Sequence, residues 1–130
     1  MVYLDSSAIV KLVHVEAETA ALRTWLTGRA QAPLVSSLLA RVETARALWR
    51  TDPPALANLP LVLGAVHLIA IDEGLCAAAA GYQDPGLRSL DAIHMATAVI
   101  VGAALTSFVT YDKRLITVAA AAGLPTASPC

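Results

Sequence analysis

An excess of charge of either sign is missing from this chain. Nine Lys and Arg stand against ten Asp and Glu, a net charge of -1. That balance argues against a protein that tracks nucleic acid along a broad basic face. It leaves room for a small site that meets phosphate through a metal ion. Cysteines are scarce too. Cys76 lies in an Ala-rich segment and Cys130 is the last residue, so no disulfide framework is expected, and a reducing compartment, the cytoplasm, follows. With one Phe, two Trp and three Tyr, the core must be largely aliphatic. Low-complexity tracts, internal repeats and linkers are absent. The first residues, Val2-Tyr3-Leu4-Asp5, carry no basic region ahead of an apolar run, so no secretory leader is expected. Residues 92–109 lack Asp, Glu, Lys and Arg, close to the roughly 20 apolar residues of a membrane span. His94, Thr97, Gly102, Thr106 and Ser107 interrupt the run, and no membrane association is expected.

What is present is an apolar fraction of 57% in 130 residues, enough for one domain, 1–130, with a normal core. Short β-prone runs at 2–4, 33–36, 66–71, 105–110 and 125–127 alternate with helical patterns. The helices are expected at 8–13, 16–26, 38–50, 55–63, 73–82, 89–101 and 113–122, the fourth interrupted by Pro60. Apolar strands alternating with helices predict an α/β fold, a central parallel sheet of four to five strands covered on both faces.

Four acidic residues fall where such a sheet binds ligands, at the carboxyl ends of its strands. Asp5 follows the first strand and Asp112 the fourth; Glu43 lies in the helix after the second strand, and Asp91 opens the helix before the fourth. Each aspartate has an ordinary alternative as a helix cap, a turn residue or a partner of the helix dipole. Glu43 sits on the flank of the face formed by Leu38, Val42, Ala45 and Trp49, which is expected to be the core face. Its alternatives are a pair with Arg46 or a solvated charge. Several carboxylates in one cleft raise each other's pKa, and a hard divalent cation removes that conflict. Oxygen ligands favour Mg²⁺ or Mn²⁺.

The residues around these acids carry a resemblance. Tyr3-Leu-Asp-Ser-Ser-Ala-Ile-Val-Lys-Leu12, Val35-Ser-Ser-Leu-Leu-Ala-Arg-Val-Glu43, Leu87-Arg-Ser-Leu-Asp-Ala-Ile-His-Met-Ala-Thr-Ala98 and Val109-Thr-Tyr-Asp-Lys-Arg-Leu115 together resemble the PIN-domain ribonucleases, specifically the VapC toxins of VapBC toxin–antitoxin pairs. The resemblance spans the chain, though 52–85 holds no diagnostic motif. It implies a three-layer α/β/α fold and a quartet of Asp5, Glu43, Asp91 and Asp112 binding Mg²⁺ or Mn²⁺. It also implies RNA as substrate, phosphodiester hydrolysis by metal-activated water, a homodimer, and inhibition by a VapB-like antitoxin.

Around the quartet, Ser6 and Ser7 are candidates for orienting Asp5, and Thr110 for joining the same network. Arg88, Arg114, Lys113 and Arg46, with Arg50, are candidate phosphate contacts. His94 reads as a buried, hydrogen-bonded residue rather than a ligand. Trp25 and Trp49 read as core or dimer contacts. Two other readings compete: a phosphatase with Asp5 as nucleophile, and a catalytically weak module for protein association. The phosphatase reading lacks its usual second acid, since Ser7 stands two positions after Asp5.

Overall fold

A computed structural model describes all 130 residues. The chain runs β1 (Val2–Leu4), α1 (Ser6–Val13), α2 (Thr19–Thr27), β2 (Leu34–Ser37), α3 (Leu39–Thr51), a 3₁₀ segment (Pro53–Asn58), α4 (Leu59–Gly64), β3 (His67–Ile69), α5 (Glu73–Ala80), α6 (Ser89–Val101), β4 (Ser107–Val109), α7 (Lys113–Ala121) and β5 (Thr126–Ala127). The five strands form one parallel sheet in the order β3-β2-β1-β4-β5. From β1 the chain builds outward through β2 to β3, then returns to place β4 on the other side of β1. The crevice between β1 and β4 is therefore the topological switch point, where open α/β sheets bind their ligands.

Alternation along β1 divides the core. Val2 and Leu4 join Ala8, Ile9, Leu22 and Leu48 on one face. Tyr3 points the other way, to Val35, Met95, Phe108, Leu115 and Ala119. Helices thus cover both sides, as the continuous apolar strands predict. No helix is long and apolar enough to cross a membrane.

Local chemistry explains where the element ends differ from the sequence expectation. α1 starts two residues early because Asp5 caps it, its Oδ1 accepting the Ala8 N–H. α2 starts late, at Thr19. The Thr19 hydroxyl accepts the Glu16 N–H and donates to the Lys11 carbonyl, holding 16–18 as a turn. Pro60 does not break a helix. It stands in the first turn of α4, where its missing N–H costs nothing, and 53–58 forms a separate 3₁₀ segment. α6 spans Ser89–Val101 as expected and stops at Gly102, whose φ of +63° a side chain rarely adopts.

One expectation is corrected. The core face of α3 is Ala40, Thr44 and Leu48, with Ala45 half-buried at its edge; Leu38, Val42 and Trp49, expected on that face, are exposed. Val42 and Trp49 are 60% and 59% exposed. Thr44, fully buried, satisfies its hydroxyl on the Ala40 carbonyl. Glu43, beside Thr44, still flanks the buried face. Trp25 packs against the core and Trp49 does not.

Candidate active site

Asp5 is the most buried of the four acids, 4% exposed. Its Oδ1 accepts the Ser7 hydroxyl at 2.6 Å and the Ala8 N–H at 2.9 Å; its Oδ2 accepts the Thr110 hydroxyl at 2.5 Å. Ser7 also accepts the Tyr111 N–H, and Thr110 accepts the Asp112 N–H. The ends of β1 and β4 are thereby laced together across the switch point. Burial pushes the Asp5 carboxyl up, and the hydrogen bonds from Ser7 and Thr110 only partly offset it.

Glu43 lies at the opposite balance. Desolvation acts to raise its carboxyl, but the hydrogen bonds from His94 and Ser6 outweigh it and the net direction is down. Ser6 donates to Glu43 Oε1 at 2.5 Å and His94 Nε2 lies 2.6 Å from the same oxygen. Oε2 carries neither bond.

Asp112 does two jobs. Oδ1 caps α7 by accepting the Arg114 and Leu115 N–H groups, while Oδ2 faces Arg88 at 3.3 Å. Asp91 sits in the first turn of α6 without a capping bond, its Oδ2 3.4 Å from Arg88 Nε. Capping and site-building were alternatives in the sequence; Asp5 and Asp112 each cap a helix and also line one shared cavity.

All four acids line a single cavity of about 360 Å³, together with Ser6, Ser7, Arg88, Ser89, Leu90 and His94. A second hollow adjoins it, sharing Ser6, Ser7, Glu43 and Asp112 and adding Lys11, Arg50 and Tyr111. Of the basic candidates, Arg88 is brought to the acids. Arg50 reaches the adjoining hollow, whereas Arg46, Lys113 and Arg114 line neither. Nothing in the spacing distinguishes Arg50 from Arg46, one turn apart on α3.

Nowhere do three or more His, Cys, Asp or Glu side chains already converge as a closed ligand set. The donor set still fits a hard cation. Mg²⁺ keeps several waters and is held by one or two carboxylates rather than a full protein cage. Glu43 Oε2 faces no structural donor, and Asp91 and Asp112 share one exposed guanidinium as their positive partner. That guanidinium is 60% exposed, so its ion pairs are weak and exchangeable, worth about 0–1 kcal/mol each.

The Asp5 shift has a measurable consequence in chelator. A carboxyl raised in the folded state makes that state bind more protons than the unfolded chain. Its contribution is therefore favourable in acid and is lost as pH rises above the ordinary carboxylate range. Wild type should lose thermal stability relative to Asp5→Asn over that rise, in EDTA. A constant difference between the two melting temperatures across pH would contradict the burial described for Asp5.

Comparison with known proteins agrees with this architecture. A model of the PIN domain matches residues 2–121. The chain is 44% identical to Ribonuclease VapC35 of Mycobacterium tuberculosis over 131 aligned positions, covering 99% of this chain and 97% of that protein. It is 39% identical to Ribonuclease VapC47 of the same species, with coverage of 99% and 97%. Among solved structures, Mycobacterium tuberculosis VapC20, described as a sarcin–ricin loop cleaving toxin, superposes with a TM-score of 0.78 at 17% identity, covering 99% of this chain and all of that one. The chain belongs to the PIN-domain family, in its VapC ribonuclease branch.

Proposed function

We propose that this chain is a metal-dependent endoribonuclease toxin that hydrolyses RNA phosphodiester bonds and is restrained by a VapB-like antitoxin. The carrying observation is that four acids from four separate segments line one cavity at the switch point of the sheet. Asp5, Glu43, Asp91 and Asp112 would hold Mg²⁺ or Mn²⁺. When bound, the ion supplies Lewis acidity toward a phosphoryl oxygen and lowers the pKa of a water. Ser7 and Thr110 orient Asp5, and Ser6 orients Glu43. Arg88, exposed at the cavity mouth, exchanges its carboxylate partners for an RNA phosphate, and Arg50 meets the strand in the adjoining hollow. The relatives, ribonucleases of the VapC series, support the substrate class. The exposed stripe of Leu38, Val42 and Trp49 on α3 suits a protein that works as a homodimer or against its antitoxin.

Asp5 is a poor nucleophile here. Both its oxygens already accept protein hydrogen bonds and almost none of it is exposed, which disfavours the phosphatase reading. RNA cleavage with Mg²⁺ or Mn²⁺, with and without EDTA, tests the proposal. A folded wild type that cuts no RNA with either metal, yet binds a protein partner, would establish the association module instead.

Arg88→Ala should separate two effects. Removing the resident cation beside Asp91 and Asp112 should tighten Mn²⁺ binding, by roughly two- to fivefold for ion pairs of under about 1 kcal/mol. RNA affinity should fall at the same time and depend less steeply on salt. Calorimetric Mn²⁺ titration and an RNA filter-binding series measure the two. Weaker binding of both would mean Arg88 only shapes the loop.

A further inference from the structure

One buried polar chain is not used by the reading above. His94 is 2% exposed, in the middle of α6, and both ring nitrogens are engaged. Nδ1 lies 2.7 Å from the Tyr3 hydroxyl and Nε2 lies 2.6 Å from Glu43 Oε1. Tyr3 is fully buried on β1, two residues before Asp5. It stacks on Phe108 at 5.0 Å and meets the imidazole edge-on at 5.9 Å. The chain therefore runs from the core of the sheet to one carboxylate of the cavity.

Hydrogen-bond chemistry fixes its direction. The Glu43 carboxylate oxygen can only accept, so Nε2, 2.6 Å from it, carries the imidazole N–H; a bare Nε2 there would set lone pair against lone pair. In the neutral imidazole Nδ1 then accepts, from the Tyr3 hydroxyl 2.7 Å away.

We infer that His94 is a positioning residue for Glu43, with Tyr3 donating to its Nδ1, and that it pins Oε1 so that Oε2 is presented to a divalent cation. Glu43 needs such a holder more than Asp5 and Asp112 do. Asp5 and Asp112 are fixed by the helix N-termini they cap. Glu43 has one more rotatable bond, stands mid-helix on α3, and caps nothing. Ser6 alone leaves it a single donor. Groups that orient a metal-binding side chain in this way typically contribute 10- to 100-fold to metal affinity.

The inference rests on the proposed metal site, and its test separates the two. Selective ¹⁵N-imidazole NMR in EDTA reads the tautomer without metal. Mn²⁺ affinity, read by electron paramagnetic resonance of the free ion, compares wild type with Glu43→Gln, His94→Leu, His94→Gln and Tyr3→Phe, each checked for folding by circular dichroism. The expected result is a proton on Nε2, a 10- to 100-fold loss of affinity in His94→Leu, and a smaller loss, under about tenfold, in Tyr3→Phe. His94→Gln should recover most of the affinity, because its amide can donate to Glu43 from nearly the same place. A proton on Nδ1 overturns the inference, as does wild-type affinity in folded His94→Leu. Should His94→Leu not fold, wild-type affinity in Tyr3→Phe overturns it equally. Wild type that binds no Mn²⁺, or Glu43→Gln that binds it undiminished, removes the metal site and this inference with it.

Discussion

Asp5→Asn should lower Mg²⁺- or Mn²⁺-dependent RNA cleavage by on the order of a hundredfold or more while leaving the protein folded. The size follows from the charge that is lost. A cation at phosphorus supplies several kcal/mol of transition-state stabilisation, and each ~1.36 kcal/mol is tenfold in rate. Asp5 is the acid at the end of the central strand, and its carboxylate lies in a site that water does not screen. Two bonds on Oδ1 and one on Oδ2 leave a lone pair for a cation. Asparagine keeps the cap on α1 and the Ser7 contact through its carbonyl oxygen, but loses the charge. The loss should therefore appear in cleavage rate and metal affinity, with near-UV circular dichroism unchanged. Full activity in the folded variant would remove Asp5 from the metal site. EDTA should silence wild type as completely as the substitution does, and Mn²⁺ added afterwards should restore wild type alone.

Phe108→Ala should be the costliest single change in the core. Phe108 is fully buried on β4, in register with Tyr3 of β1, and stacks on its ring at 5.0 Å with the planes 9° apart. Truncating a buried Phe costs about 3–5 kcal/mol in lost transfer energy and residual cavity. Domains of this kind hold only about 5–15 kcal/mol in all. Urea unfolding followed by tryptophan fluorescence should show the midpoint fall sharply. The cavity would also release the back of Tyr3, so metal affinity should weaken beyond what partial unfolding explains. A change below about 1 kcal/mol would mean that this face of the sheet is not packed as described.

Much of this arrangement was legible in the order of residues because it depends on local physics. Strand and helix periods placed β1, α6 and the edge strand β5. Asp5 and Asp112 stood at helix starts, where a cap is a matter of a few bonds. The apolar run Val2-Tyr3-Leu4 read as a strand buried on both faces, which it is. That the four acids could meet at one end of a parallel sheet followed from their places after or beside strand ends, although each alone had an ordinary alternative.

Other features were decided only by packing in three dimensions. α3 carries two stripes that could face inward, and helical period alone does not choose between them. Ala40, Thr44 and Leu48 face the core, and Val42 and Trp49 are left outside. Arg50 lines the hollow beside the acids and Arg46 does not. His94 looked like a satisfied core residue, and it is one. What no spacing could reveal is that its partners Tyr3, Ser6 and Glu43 are 91, 88 and 51 residues away. A hydrogen bond across such distances exists only once the sheet has brought Tyr3, Glu43 and His94 together.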